Sequence, residues 1–154
     1  MLGSDYTEHL QRLIDDICWS IELPAGMENF FQETGPLPSM AGDERKAARL
    51  RVRTKSVAIS EICLHAWPRQ TDPYGVYISD ISRYGVGFLA EEQFFPEEQV
   101  RLVLPAFWLV AQVARVRKLG PNCYQIGARL LRRNDPAMTA FDVQQSELTE
   151  AVLT

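Results

Sequence analysis

The sequence is poor in the residues that most catalytic and metal sites need. It holds two histidines, His9 and His65, and three cysteines, Cys18, Cys63 and Cys123, among 154 residues. The cysteines lie far apart without a CxxC spacing, which argues against a disulfide framework and against a zinc site. With so few histidines, a Ser-His or Cys-His relay is hard to assemble. We therefore expect no enzymatic activity, no metal and no cofactor.

A long hydrophobic run is also missing. No apolar stretch approaches the roughly 20 residues that a membrane helix requires, and residues 1–7 have neither the basic start nor the apolar core of a signal peptide. With 46% hydrophobic and 23% charged residues, the composition is typical of a folded globular domain. These features predict one cytoplasmic domain without membrane insertion.

Charge is unevenly distributed, although the net charge is only −4. Residues 1–43 hold eight acids and one base, residues 44–134 hold fifteen bases and eight acids, and residues 135–154 hold four acids and no base. We predict an N-terminal helix and linker over 1–43, a β-barrel domain over 44–134 and a C-terminal helix over 135–154. The basic middle segment favours an anionic ligand.

Hydrophobic periodicity changes along the chain. Apolar residues at three- and four-residue steps predict an amphipathic helix over residues 5–21, and a helix is also predicted over 137–153. Between them, short runs rich in Val, Ile, Tyr and Phe alternate with turn residues, which predicts antiparallel strands at 56–65, 74–79, 85–90, 99–104, 108–117 and 123–131. Six strands of this length favour a barrel or a sandwich, so the fold class is mainly β.

The densest charge lies in residues 45–55. This stretch has six cations and no acid, namely Arg45, Lys46, Arg49, Arg51, Arg53 and Lys55. As a charge run alone, it is most simply a solvated surface. If the stretch is extended, however, its arginines at odd positions fall on one side, where planar guanidinium groups can converge on a polyanion.

A second feature lies between two predicted strands and reads Asp80-Ile81-Ser82-Arg83-Tyr84-Gly85. As structure alone it is a turn, in which Asp80 and Ser82 cap backbone amides and Gly85 supplies a positive φ. As a site, the Asp80 carboxylate can accept hydrogen bonds from the N1–H and N2–H₂ edge of a guanine. The Ser82 hydroxyl and the exposed amides can bind a phosphate.

Together the two features resemble the signature of the PilZ domain family, bacterial receptors for the second messenger cyclic di-GMP. That signature is RxxxR in a basic segment before the barrel, followed by [D/N]xSxxG. Here the halves are Arg45 to Arg49 and Asp80 to Gly85. The resemblance extends from about residue 44 to residue 131 and does not cover residues 1–40. Many members have a second arginine directly before RxxxR, where this chain has Glu44.

The resemblance implies a six-stranded PilZ-type β-barrel that binds cyclic di-GMP and does no chemistry on it. Arg45 and Arg49 would contact the phosphates and stack on or bond a guanine. Asp80 and Ser82 would bind the other guanine and its phosphate, and Gly85 would keep the loop close to the ligand. Binding would change the conformation and thereby regulate a downstream protein partner, which the sequence does not identify.

Other functions remain open at this stage. One is a PilZ-like adaptor that binds no nucleotide and acts through protein contacts, and another is a small barrel that binds nucleic acid. The acidic flanks argue against nucleic acid. The apolar stripe of the N-terminal helix must pack on its own barrel, in a homodimer or against a partner. We expect the acidic N-terminal region to lie near residues 45–55 and to compete weakly with the nucleotide.

Overall fold

The computed structural model describes residues 2–36, 49–143 and 146–148. Its elements in chain order are the helix α1 (Leu2–Asp16), a 3-10 helix (Phe30–Gln32), the strands β1 (Gly35–Pro36), β2 (Leu50–Leu64), β3 (Tyr74–Ile81), β4 (Gly85–Ala90), β5 (Gln99–Val103), β6 (Trp108–Gly120) and β7 (Cys123–Asn134), a second 3-10 helix (Met138–Phe141) and β8 (Ser146–Leu148). The fold is mainly β with one N-terminal helix.

Six of the strands form a closed antiparallel barrel. They follow the order β2, β3, β4, β7, β6 and β5, and β5 pairs back with β2. Each of the six overlaps one predicted strand, so the prediction of a six-stranded β-barrel is confirmed. The largest difference is in β2, which begins at Leu50 rather than at residue 56. The basic run thus enters the sheet because Val52 packs against the barrel core while its charged neighbours remain at the surface.

Alternating side chains of the strands fill the barrel interior. Ile78, Phe88, Leu102 and Ile126 are fully buried in this core. The period-2 alternation places these residues inside and leaves the intervening ones on the outer surface.

Helix α1 packs on the outside of the barrel, which settles where its apolar stripe is buried. Tyr6 and Leu10 are buried against Val57 and Val110 of the barrel. The Tyr6 hydroxyl donates to the carbonyl of Leu104 and lies 3.0 Å from that of Phe107. Burial raises the pKa of Tyr6 well above its ordinary value, so the hydroxyl keeps the proton that it donates.

Helix α1 ends at Asp16, earlier than the predicted end at residue 21. The indole nitrogen of Trp19 donates to the carbonyl of Ile14 at 3.0 Å. In a continuing helix this carbonyl would instead accept from the backbone amide four residues later. The Trp19 ring lies flat on Gly75, where a Cβ would stand 2.3 Å from the ring. The contact of Trp19 with β3 thus replaces the last helical turn.

The predicted C-terminal helix over 137–153 is wrong in the residues that the structure describes there. Residues 138–141 form a 3-10 helix, Asp142 is extended, and β8 pairs parallel with β2. The cause is Arg101, whose guanidinium donates to the carbonyl of Ala140 at 2.8 Å and to that of Asp142. These carbonyls would otherwise accept the next helical amides. Residues 144–145 and 149–154 lie outside the described part.

Candidate functional site

The predicted Asp80 to Gly85 turn closes the β3–β4 hairpin. The amide of Ser82 donates to the carbonyl of Gly85 at 2.9 Å. The Ser82 hydroxyl accepts from the amides of Tyr84 and Gly85 at 3.3 and 3.1 Å. Ser82 therefore holds the turn in shape, which is the capping role that turn chemistry predicts for serine.

Gly85 is required for a different reason from the one predicted. The φ angle of Gly85 is not positive, whereas those of Gly26 and Gly35 are. The predicted positive φ is therefore wrong. A Cβ at Gly85 would instead lie 3.0 Å from the carbonyl oxygen of Ala128 on β7, so the glycine permits close approach of the neighbouring strand.

An ion pair joins the two halves of the predicted site. A terminal guanidinium nitrogen of Arg49 lies 2.9 Å from Oδ1 of Asp80, with the side chains 26% and 11% exposed. The strand register explains this contact, because Leu50 of β2 pairs with Ile81 of β3 and Arg51 pairs with Asp80. Arg45, the other arginine of the predicted pair, lies outside the described residues.

Two glycines form the floor beside this ion pair. Asp80 pairs with Gly87 on β4, Gly87 with Gly127 on β7, and Gly127 with Arg115 on β6. A Cβ on Gly87 would lie 3.0 Å from Oδ2 of Asp80, and one on Gly127 would lie 3.6 Å from Nε of Arg115. The side chains at the two ends of this row therefore lie close over the glycines, in the space that a Cβ would occupy.

The row is the base of a cavity of about 500 Å³, which we call the glycine-floored cavity. Its lining residues are Arg49, Asp80, Gly87, Arg115, Val116, Arg117, Gln125, Ile126 and Gly127. Of the predicted site residues, Arg49 and Asp80 line it, whereas Ser82 and Gly85 do not. The size falls within the range of small-molecule sites, which is about 300–1,000 Å³.

The potential of the glycine-floored cavity is positive. Three arginines and one carboxylate line it. The hairpin of β6 and β7 behind it, residues 108–134, holds six cations and no acid. An anion with planar groups therefore meets both charge and hydrogen-bond donors in this cavity.

Arg115 and Arg117 are not among the site residues predicted from the sequence. Because they lie two residues apart on a strand, their side chains share one face, and this could be predicted from the sequence. That this face lies beside Asp80 depends on the pairing of β6 with β7 and of β7 with β4. Gly87 and Gly127 were missed for the same reason.

In the part of the basic run that the structure describes, Arg51, Arg53 and Lys55 do not line the glycine-floored cavity. Arg51 lies 3.2 Å from Glu33, the guanidinium of Arg53 stacks 4.3 Å above the Phe30 ring, and Lys55 lies 5.0 Å above that of Trp19. Burial is the main cause of the lowered pKa of Arg53. The expected convergence of these arginines on one ligand is therefore not seen. They bind the segment after α1.

Comparison with known proteins assigns no family: no family model, no curated protein and no solved structure matches this chain. Within the described residues, no group of three or more histidine, cysteine or acidic side chains has an arrangement that would hold a metal ion. The helices described there are all too short or too polar to cross a membrane. The site is thus interpreted from its own geometry.

Proposed function

We propose that the chain is a cytoplasmic PilZ-type receptor that binds cyclic di-GMP and regulates a protein partner by changing conformation. The observation that supports this most is the Arg49–Asp80 ion pair on the wall of the glycine-floored cavity. It brings one residue from each half of the PilZ-like signature into contact. A purely structural turn would not need the arginine.

The chemistry of the glycine-floored cavity suits the parts of this ligand. Cyclic di-GMP carries two phosphates and two guanines, and Arg49, Arg115 and Arg117 supply guanidinium groups for the phosphates or for stacking on a base. Gly87 and Gly127 leave room for the Asp80 carboxylate and the Arg115 guanidinium to lie against the barrel, where both line the cavity. Asp80 supplies the acceptor for a guanine edge.

Ligand binding requires an exchange of partners at Asp80. Its Oδ1 accepts from Arg49 at 2.9 Å and its Oδ2 from the Ser79 hydroxyl at 3.2 Å. A guanine edge would compete for this carboxylate, while a phosphate would attract the released guanidinium. Arg49 immediately precedes β2, so its movement would alter the path of the chain that enters the barrel. This coupling is the conformational change that we propose to reach a partner.

A PilZ-like adaptor that binds no nucleotide is the alternative. Two observations favour it: the Ser82 hydroxyl is occupied by the amides of its own turn, and Arg49 and Asp80 neutralise each other. In that case the same residues stabilise the barrel surface and the protein acts through contacts alone, including those of a homodimer. Ligand titration separates the two functions.

Isothermal calorimetry with purified protein tests the proposal. We expect saturable binding of cyclic di-GMP and much weaker binding of GMP and cyclic AMP. Only the dinucleotide offers two guanines and two phosphates to the arginines and Asp80 together. Absence of heat at tens of micromolar ligand, from protein that circular dichroism shows to be folded, would contradict the receptor and favour the adaptor.

The Glu33–Arg51 contact predicts weak autoinhibition. Glu33→Gln removes a negative charge beside the basic strand, which should strengthen the attraction of that strand for an anion. An exposed ion pair contributes about 0–1 kcal/mol, so affinity should rise up to about fivefold at low salt and the gain should fade at high salt. Calorimetry at two ionic strengths measures both effects.

The control is Glu28→Gln, another exposed acid of the same segment, which accepts from the nearby amide of Gly26. It changes the net charge equally but leaves Arg51 paired. Equal gains from both variants would show a general charge effect, and no gain from Glu33→Gln would remove the autoinhibitory role. Deleting residues 1–40 is a poorer test, because Tyr6 and Leu10 are part of the folded core.

A further inference from the structure

A second cavity, of about 420 Å³, lies where the end of α1 meets the barrel. We call it the helix-end cavity. Three parts of the chain line it: the end of α1 with the residues up to Ser20, the loop before β3 together with the start of β3, and the end of β4 with the residues up to Phe94. It shares no lining residue with the glycine-floored cavity and lies at the opposite end of the β3–β4 hairpin.

The walls of the helix-end cavity are largely apolar but its charged groups are acidic. Ile17, Trp19 and Phe94 provide apolar surface. Three carboxylates, those of Asp16, Glu91 and Glu92, also line it, and all three residues are exposed. An apolar group can therefore enter the cavity while a charged group stays within reach of carboxylates.

The cation in this wall is already neutralised. Arg69 is buried, and its guanidinium lies 2.8 Å from each carboxylate oxygen of the buried Glu98. Its other terminal nitrogen lies 3.4 Å from Glu92. The charge presented by the helix-end cavity is consequently negative, opposite in sign to that of the glycine-floored cavity.

The end of α1 adds to this negative potential. The last turn of the helix carries acids and no base, with Asp15 and Asp16 beside the carbonyl end of the helix dipole. This arrangement is electrostatically unfavourable, since helix C-terminal ends attract cations. A bound cation at the helix-end cavity would relieve it.

One polar group of the wall has no partner of its own. The hydroxyl of Tyr74 is buried and makes no hydrogen bond within the described residues. Burial is the main cause of its strongly raised pKa, which keeps the hydroxyl neutral and able to donate or accept. Unsatisfied buried hydroxyls are uncommon.

We infer that the helix-end cavity binds a small amphipathic organic cation. Its aromatic or aliphatic body packs against Ile17, Trp19 and Phe94, and its protonated amine or guanidinium lies near Asp16 and Glu91. The inference uses none of the residues proposed to bind cyclic di-GMP, so either site can exist without the other.

A matched pair of ligands tests the charge requirement on the full chain. Tryptamine and indole-3-propionate share an indole and differ in the sign of the side-chain charge. We expect tryptamine to shift the amide NMR signals of residues 16–20 and 90–94 saturably. We expect indole-3-propionate to leave them unchanged. Equal shifts with both ligands, or no saturable shift with tryptamine, would overturn the inference.

Cys18 gives an independent readout. It is an exposed free thiol in the wall of this cavity, whereas Cys63 and Cys123 are buried. Saturating tryptamine should slow alkylation of Cys18 several-fold. An unchanged rate under conditions where NMR shows binding would place the amine elsewhere and overturn the assignment.

The double variant Asp16→Asn, Glu91→Gln tests the carboxylates. Two exposed ion pairs are lost, so the dissociation constant of tryptamine should rise about fivefold. The variant Asp135→Asn, Asp142→Asn removes the same net charge from exposed residues that do not line the cavity, and its affinity should be unchanged. Equal effects from both double variants would show that the total charge, and not the cavity, attracts the amine.

Discussion

Asp80→Ala is expected to lower the affinity for cyclic di-GMP by roughly 10- to 150-fold. A hydrogen bond to a charged group contributes about 1.5–3 kcal/mol, and the alanine removes the acceptor for the guanine edge. It also releases Arg49, whose guanidinium is held 2.9 Å from Asp80 and would become mobile. Calorimetry on the folded variant measures the loss.

Asp80→Asn is the matched control. The amide keeps one acceptor oxygen and nearly the same shape, and the PilZ signature accepts Asn at this position. We therefore expect it to remain within about tenfold of the wild type, since Arg49, the partner of the lost charge, is partly exposed. Equal losses for the two variants would show that Asp80 acts through charge and not through edge recognition.

The stability of the Asp80 variants separates ligand binding from a structural role. Arg49 is about a quarter exposed and can turn to solvent when its partner is removed. Circular dichroism and the melting temperature should therefore change little, because partly exposed pairs contribute about 0–1 kcal/mol. Loss of the folded signal in Asp80→Ala would show instead that Asp80 is required for the turn.

The barrel strands could be predicted because their signal is local. Each strand alternates between an interior residue such as Phe88 or Ile126 and an outer one, and turn residues separate the strands. The start of β2 was missed because a run of arginines hides the alternation. Val52 is the interior residue that reveals it.

Only part of the candidate site could be predicted from the sequence. Arg49 and Asp80 were identified from motifs, and they do form an ion pair in the structure. The cavity beside them depends on which strand follows which around the barrel, and the chain order of β4, β5, β6 and β7 differs from their spatial order. Gly87 and Gly127 therefore could not be assigned to the site from the sequence alone.

The predicted extents of the two helices were wrong for a related reason. In both cases a distant side chain or surface supplies the hydrogen bond or packing that replaces the next helical turn. Trp19 does so on Gly75, and Arg101 does so at the carbonyls of Ala140 and Asp142. Periodicity describes the local preference, which such tertiary contacts override.

Glu98→Ala is expected to destabilise the fold by about 3–5 kcal/mol, because it leaves the buried Arg69 guanidinium without its carboxylate. Both residues are buried, and Glu98 also accepts from the amide of Phe95 at 2.7 Å. Burial alone would lower the pKa of Arg69, but the hydrogen bonds and charge of Glu98 raise it above its ordinary value. Because a guanidinium stays charged at neutral pH, the arginine remains charged in the variant although Glu98 no longer raises its pKa. Denaturant unfolding measures the change.

Two controls distinguish the loss of the buried carboxylate partner from general damage. Glu91→Ala removes an exposed acid from the same chain segment and should cost less than about 0.5 kcal/mol. Arg69→Met combined with Glu98→Leu removes both charges and should recover much of the lost stability, since replacing a buried pair by apolar groups is often neutral. A double variant as unstable as the sum of its single variants would show that the pair is not coupled, and that packing of Arg69 on Phe94 dominates.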